Sequence, residues 1–168
     1  NKGVVGDYDD DLKAVVTGTR DKVAEKMADL RVADSMTEIF NLFRRCNRYI
    51  DETMPWVLAK DEASKDRLAT VLYNLVEGIT IGASLLSPYM PETSEKIFAQ
   101  LNTSMVEFDN LATFGNYKSG TKVTEKPQIL FARLDEKEVM EKAKVLMEKQ
   151  AASVKAAKSA IEEDTVID

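Results

Sequence analysis

Long stretches of this sequence carry apolar residues every three or four positions, and this spacing predicts α-helices rather than strands. The expected fold class is therefore all-α, a helical bundle with one short extended segment near 128–134 and a long C-terminal helix. The helices are expected at 12–30, 32–53, 64–86, 91–101 and 136–161, with a short turn at 57–60 and a surface loop over 102–127.

Pro55 sharply limits where the second of these helices can end. A proline inside a helix removes a backbone hydrogen bond and clashes with the preceding turn, so this helix should end by Met54. Trp56, the only tryptophan of the chain, then lies at a helix-to-loop corner. An aromatic residue at such a corner either plugs the core or offers a platform on which a base can stack.

Composition and length describe a globular chain of 168 residues, 44% hydrophobic and 31% charged. No apolar run approaches the roughly 20 residues needed to span a bilayer, and no signal-peptide pattern opens the chain. The single cysteine, Cys46, excludes an internal disulfide and is expected to be a reduced, buried hydrophobe. These features predict a cytoplasmic protein without a membrane partner.

The net charge of −6 argues against a general nucleic-acid binder that depends on spread positive charge. Binding would have to be local, on an electropositive rim formed by Arg44, Arg45, Arg48 and Lys60. Without further information, the residues favour a plainer interpretation. In that interpretation the arginines belong to a solvated helix face and are balanced by acidic neighbours such as Glu52.

Residue types that catalysis commonly needs are missing from this sequence. The chain has no histidine, which excludes a histidine-based acid, base, triad or metal ligand. One cysteine excludes a multi-cysteine zinc site, and no glycine-rich phosphate loop is present. We therefore expect no catalysis, no metal site and no cofactor in this chain alone.

Several segments, in this order, resemble the anticodon-binding domain of methionyl-tRNA synthetases. Residues 47–60 read N-R-Y-I-D-E-T-x-P-W-x-L-A-K, and similar matches follow at 67–75, 86–97 and 130–135. The resemblance implies a helical bundle that receives the anticodon of methionine tRNA, with Trp56 stacking on an anticodon base. It also implies a division into an anticodon-binding bundle at 1–135 and a helix with linker at 136–168.

The resemblance further implies a parent class I enzyme that attaches methionine to its tRNA. ATP and Mg²⁺ would act in a separate catalytic domain, whose ATP signatures are absent from this sequence. In the family, a helix before this region also reads the anticodon. In longer members a C-terminal domain, which also dimerises, follows a lysine- and alanine-rich helix like the one after residue 142. The expected partners are methionine tRNA and the catalytic domain of the parent enzyme. A second copy of the enzyme is a further expected partner, bound through the C-terminal domain of such longer members.

The candidate tRNA-binding residues are Trp56, Asn47, Asp51, Arg44, Arg45 and Arg48. The arginines would hold phosphates, contacts that position RNA without reading its sequence. Tyr49 and Lys60 are weaker candidates of the same kind.

Asn47 and Asp51 are harder to assign from the residues. Asn47 is expected on the apolar side of its helix, either as a satisfied core amide or as a reader of a base edge. Asp51 would accept a hydrogen bond from a base amino group or a backbone amide. Near a helix C-terminus its charge opposes the helix dipole, so a compensating partner is expected.

Two other interpretations remain open from the sequence. The chain could be the anticodon domain of another class I synthetase. It could also be a structural bundle that mediates protein assembly through its last helix, where Met140, Met147 and Val154 are spaced like a weak heptad seam.

Overall fold

The computed structural model describes residues 4–132 and 134–164, with side chains as far as residue 154. The chain divides into two compact units, Asn1–Gln128 and Ile129–Asp168. The described residues contain helices and connecting segments and no strand. The helices are α1 (Asp9–Ala28), α2 (Val32–Thr53), α3 (Pro55–Leu58), α4 (Lys65–Leu86), α5 (Pro91–Leu101) and α6 (Glu136–Asp164), with 3₁₀ turns at Glu62–Ser64 and Phe108–Ala112.

The core of the first unit is formed where α1, α2 and α4 pack against one another, with α5 against α4. Each helix contributes apolar residues three or four positions apart, as expected for one face of a helix. Fully buried examples are Leu12, Val16, Ile39, Leu42, Val71 and Ile81. Cys46 lies in the same core, and burial raises the pKa of its thiol to about 11, so it behaves as a small hydrophobe.

The central helix is α4. The stretch Glu62–Leu86 is long and apolar enough, by length and composition, to cross a membrane. However, 67% of its apolar window is buried inside the bundle, as expected for the core helix of a globular domain.

Two glycines of α4 allow its neighbours to approach closely. A Cβ added at Gly78 would lie 3.0 Å from the Cys46 sulfur, and one at Gly82 would lie 2.6 Å from the Phe43 ring. The absence of a side chain at these two positions therefore lets α2 pack closely against α4.

The long loop after α5 is anchored by the buried carboxylate of Glu77 on α4. Glu77 Oε1 accepts backbone hydrogen bonds from Gly115 (2.8 Å) and Asn116 (2.7 Å), and Oε2 accepts one from Tyr117 (2.6 Å). Gly115 has a φ of 113°, which a side-chain-bearing residue rarely adopts. One buried acid therefore anchors residues 115–117 of the loop predicted for 102–127.

The expected helix boundaries match the observed ones at α2 and α5 and differ most at α1. Helix α1 begins at Asp9 instead of Leu12 and ends at Ala28 instead of Leu30. Leu30, expected as the last residue of this helix, lies in the turn after it with a φ of 59° and is 85% exposed. The three aspartates form the first turn of α1, and Tyr8 precedes them without a side-chain cap.

The second unit consists of an irregular segment followed by α6. The expected extended segment near 128–134 forms no strand in its described residues, and the chain bends at 130 and 131. Arg133, which is part of the family match at 130–135, lies outside the described residues. In α6, the apolar residues Met140, Met147 and Val154 are all more than half exposed.

Candidate nucleic-acid interface

The corner predicted at Pro55 is built by a left-handed residue. Met54 has φ 44° and ψ 61°, a conformation that ends α2 and begins α3. Its N–H donates to the Ile50 carbonyl at 2.9 Å, and its own carbonyl accepts from the Val57 N–H at 2.8 Å. Pro55 then occupies the first turn of α3, where it needs no hydrogen-bond donor.

Trp56 lies on this corner with 51% of its surface exposed. Its neighbours Met54 and Val57 are exposed to a similar extent, 46% and 48%. A core plug would be almost fully buried, so Trp56 has the accessibility that a stacking platform requires. The three side chains together make an exposed apolar surface at the end of α2.

A polar stripe runs along α2 toward this corner. Arg44, Asn47, Arg48 and Asp51 are all exposed and are separated by steps of three and four residues, which place them on one side of the helix. We call these four residues with Trp56 the corner surface. They combine cations, an amide, a carboxylate and an aromatic ring, the groups that proteins use to bind unpaired RNA bases and their phosphates.

The exposure of Asn47 corrects one expectation. Its spacing from Phe43 and Ile50 predicts that Asn47 lies on the apolar side of α2. Those two side chains are only partly buried, because the fully buried seam of α2 runs through Leu42, Cys46 and Tyr49. Asn47 lies beyond that seam, exposed, so it is not a core amide.

Asp51 and Tyr49 also differ from what the sequence predicted. Asp51 is exposed and has no hydrogen bond or ion pair with any of the described residues, so its expected compensating partner is not found among them. Tyr49 is completely buried and cannot contact a phosphate. Lys60 is exposed two residues after α3.

Arg45 does not share the exposure of the other two arginines. Its side chain is only 10% exposed and binds Asp11 Oδ2 (2.6 Å) on α1 and Glu52 Oε2 (3.0 Å) on its own helix. Its guanidinium also lies 5.9 Å from the centre of the Tyr49 ring. These contacts make Arg45 an internal link between α1 and α2, rather than a free cation for phosphate.

Arg44 and Arg48 remain at the surface. Arg44 is exposed and donates from Nη1 to Asn41 Oδ1 at 2.6 Å. Arg48 is 77% exposed and donates from Nε to Glu52 Oε1 at 2.8 Å. Glu52 pairs with both Arg45 and Arg48, as the plainer interpretation of a charge-balanced helix face predicted.

A buried polar cluster fixes the part of α2 that carries the corner surface. Asp9 on α1 accepts hydrogen bonds from Tyr49 on α2 (2.5 Å) and from Arg67 on α4 (2.6 and 2.8 Å). Burial alone would raise the pKa of Asp9, but the hydrogen bonds from Arg67, Tyr49 and the Gly6 amide outweigh it and hold the pKa below 3.8. Asp9 is therefore ionised and binds three helices together.

Comparison with known proteins agrees with this description. Residues 1–151 match the family described as the anticodon binding domain of methionyl tRNA ligase. The chain is 46% identical over 140 residues to a methionine–tRNA ligase of Clostridium tetani. This alignment covers 83% of the present chain and 22% of the Clostridium tetani protein. The chain is 39% identical over 140 residues to the Bacillus subtilis enzyme, covering 82% of this chain and 21% of that one.

Solved structures show the same similarity. Apo methionyl-tRNA synthetase of Mycobacterium tuberculosis superposes with a TM-score of 0.72 at 28% identity, covering 80% of this chain and 28% of that chain. The same enzyme in complex with methionyl-adenylate gives a TM-score of 0.69 at 27% identity, over 79% of this chain and 26% of that one.

The helical bundle of the described residues is the architecture of an aminoacyl-tRNA ligase anticodon-binding domain. The chain belongs to the family of methionyl-tRNA ligase anticodon-binding domains. It spans about a fifth of the length of the curated relatives it matches.

Proposed function

We propose that this chain is the anticodon-recognition module of a methionine–tRNA ligase and that Trp56 stacks on an anticodon base. The half-exposed Trp56 ring, at a corner reached by the polar stripe of α2, is the observation that carries the proposal. Stacking on an aromatic ring contributes about 1–3 kcal/mol per base, which is enough to hold one splayed anticodon base.

Within the corner surface, side-chain chemistry suggests different roles. Arg44 and Arg48 are the exposed cations that contact phosphates of the anticodon stem-loop. Asn47 and Asp51 are exposed without partners among the described residues, so their amide and carboxylate are free to bond base edges. Arg45 has a supporting role, because it is mostly buried and paired.

The parent enzyme would activate methionine with ATP and Mg²⁺ on its own catalytic domain, in the cytoplasm. Among the residues that the structure describes, no group of three His, Cys, Asp or Glu side chains is suited to a metal ion. We keep the division into a bundle at 1–135 and a C-terminal helix at 136–168 as a proposal. We also propose that the parent enzyme forms a homodimer through a further C-terminal domain.

A fluorescence titration tests the proposed function. Trp56 is the only tryptophan, so its emission reports on the corner alone. A stem-loop RNA carrying the methionine anticodon should quench this emission, and the same stem with an unrelated anticodon should quench it less at equal concentration. An unchanged emission with both RNAs would contradict the proposal.

A second candidate function is protein assembly through α6, favoured by the exposed Met140, Met147 and Val154. This alternative predicts no quenching by RNA and a mass that increases with protein concentration. Sedimentation of the same preparation therefore distinguishes the two functions.

The proposal also limits what the purified chain can do. Binding to tRNA should be weak, because the net charge of −6 opposes a polyanion. Methionine-dependent exchange of pyrophosphate into ATP should be absent. Exchange by the pure chain would contradict its assignment as a non-catalytic module. A nanomolar complex at physiological salt would contradict only the expected weakness of binding.

A further inference from the structure

Glu52 binds two arginines of the same helix at once. Its Oε1 accepts from Arg48 Nε at 2.8 Å, and its Oε2 accepts from Arg45 Nη1 at 3.0 Å. The Glu52 side chain is only 15% exposed, and Arg48 is 77% exposed. The largely covered Glu52 carboxylate therefore connects the mostly buried Arg45 to Arg48 at the surface.

The carboxylate is held in place by the contacts of Arg45. Arg45 Nε donates to Asp11 at 2.6 Å, Nη2 donates to the Tyr8 carbonyl at 3.4 Å, and its guanidinium lies beside the Tyr49 ring. Tyr49 is itself completely buried. Because Arg45 is fixed from several sides, the Glu52 carboxylate that it binds has little freedom to rotate.

The fixed Glu52 carboxylate in turn orients the guanidinium of Arg48. Its guanidinium is engaged through Nε, and the Nη1 and Nη2 groups make no hydrogen bond with the described residues. These two groups form the end of the guanidinium fork, which matches two oxygens of one phosphate. Arg44 is held differently, since one of its Nη groups is used by Asn41.

We propose that Glu52 and Arg45 are positioning residues that aim the free end of Arg48 at one phosphate of the anticodon stem-loop. This inference rests on the proposed function. It explains why a carboxylate lies beside a surface that binds a polyanion, where its charge alone would weaken binding.

The proposal and simple electrostatics predict opposite signs for one substitution. Glu52→Gln removes a negative charge near the RNA, so electrostatics alone predicts tighter binding. In a glutamine one of the two oxygens is replaced by an NH2 group, a donor that would face an arginine donor, so the two-oxygen bridge is lost and the positioning role predicts weaker binding. Immobilising one long side chain costs about 0.5–1.5 kcal/mol, so the expected loss of affinity is about two- to tenfold.

A double-mutant cycle on the full 168-residue chain tests this, with a labelled stem-loop RNA carrying the methionine anticodon as probe and fluorescence anisotropy at low salt as readout. Glu52→Gln should weaken binding when Arg48 is present. In the Arg48→Ala background it should leave binding unchanged or tighten it, because no side chain remains to be positioned. Glu92→Gln, an exposed charge removal on α5, is the matched control and should not weaken binding.

A second variant keeps the test valid if Glu52→Gln loses structure by circular dichroism. Arg48→Lys leaves Glu52 and Arg45 in place and preserves the charge, but it lacks the planar fork. It should bind more weakly than the unmodified chain with a similar salt dependence. Arg48→Ala should reduce the slope of log affinity against log salt by about 0.7–0.9, the value for one lost phosphate contact.

Three results would overturn the inference, and they distinguish failure of the positioning role from failure of the proposed function. If Trp56→Ala and Arg48→Ala weaken binding but Glu52→Gln tightens it, or Arg48→Lys binds as well as the unmodified chain, only the positioning role is wrong. If Trp56→Ala and Arg48→Ala both leave binding unchanged, the proposed function fails and the positioning role fails with it.

Discussion

The phenol oxygen of Tyr49 on α2 donates a 2.5 Å hydrogen bond to Oδ1 of Asp9 on α1, and both residues are completely buried. The same phenol oxygen accepts a hydrogen bond from Asn74 on α4 at 3.1 Å. Arg67 closes the cluster with two bonds to Asp9. One buried hydroxyl thus links the three main helices beneath the corner surface.

Removing the Tyr49 hydroxyl should lower the free energy of unfolding by more than the loss of one small group suggests. Tyr49→Phe leaves Asn74 without its Nδ2 partner, and Asn74 Oδ1 already has no partner among the described residues. Leaving a buried polar group unsatisfied costs about 1–3 kcal/mol, and urea denaturation should show a loss of unfolding free energy in this range. Tyr8→Phe, at an exposed tyrosine, is the control and should change stability by less than about 0.5 kcal/mol.

Stability should fall on acidification because of Asp9. Burial acts to raise its pKa, but the hydrogen bonds from Arg67, Tyr49 and the Gly6 amide leave the folded-state pKa below the ordinary 3.8. A carboxyl with a lowered folded pKa stabilises the protein above its unfolded pKa, and this contribution is lost as pH falls through the folded value.

The Asp9→Asn variant isolates this contribution. It should be less stable than the unmodified chain at pH 7, because Arg67 loses its ionised partner. The difference in unfolding free energy should narrow when both proteins are titrated from pH 5 toward pH 2. A difference that stays constant over this range would show that Asp9 is not the group responsible.

Two glycine-to-alanine substitutions should have opposite effects. At Gly82 a new Cβ would lie 2.6 Å from the Phe43 ring and 3.3 Å from Leu42, so overpacking should cost about 1–3 kcal/mol. At Gly18 in α1 the new Cβ would meet nothing within 4 Å beyond its chain neighbours and the backbone of its own helix, and higher helix propensity should stabilise the protein by about 0.5–1 kcal/mol. Thermal denaturation of both variants under one condition measures the contrast. Equal shifts would mean that α2 and α4 do not pack as closely as described.

The helices were largely predictable because local rules determine them. Apolar spacing predicted α2 and α5 as helices, and Pro55 predicted the end of α2 and the corner that exposes Trp56. The family was predictable too, because the motif around Trp56 is local in the sequence.

Features that depend on contacts distant in sequence were not predictable in the same way. Tyr49 looked like a surface candidate, yet its hydroxyl meets Asp9, 40 residues away. The sequence predicted the same surface role for Arg45 as for Arg44 and Arg48, yet Arg45 binds Asp11 on α1 and its side chain is largely buried. Periodicity fixes a helical face only to within about a residue, which is why Asn47 was assigned to the apolar side.

The most direct test of the account measures stability and RNA affinity on one preparation of Trp56→Ala, with the exposed neighbour change Val57→Ala as control. The account predicts that Trp56→Ala weakens binding of the methionine anticodon stem-loop by about 1–3 kcal/mol, the contribution of one stacked base, and that the unfolding free energy changes less than this. Val57→Ala should change both quantities little. A loss of about 3–5 kcal/mol of folding free energy with unchanged affinity in the folded fraction would make Trp56 a core residue and contradict the account.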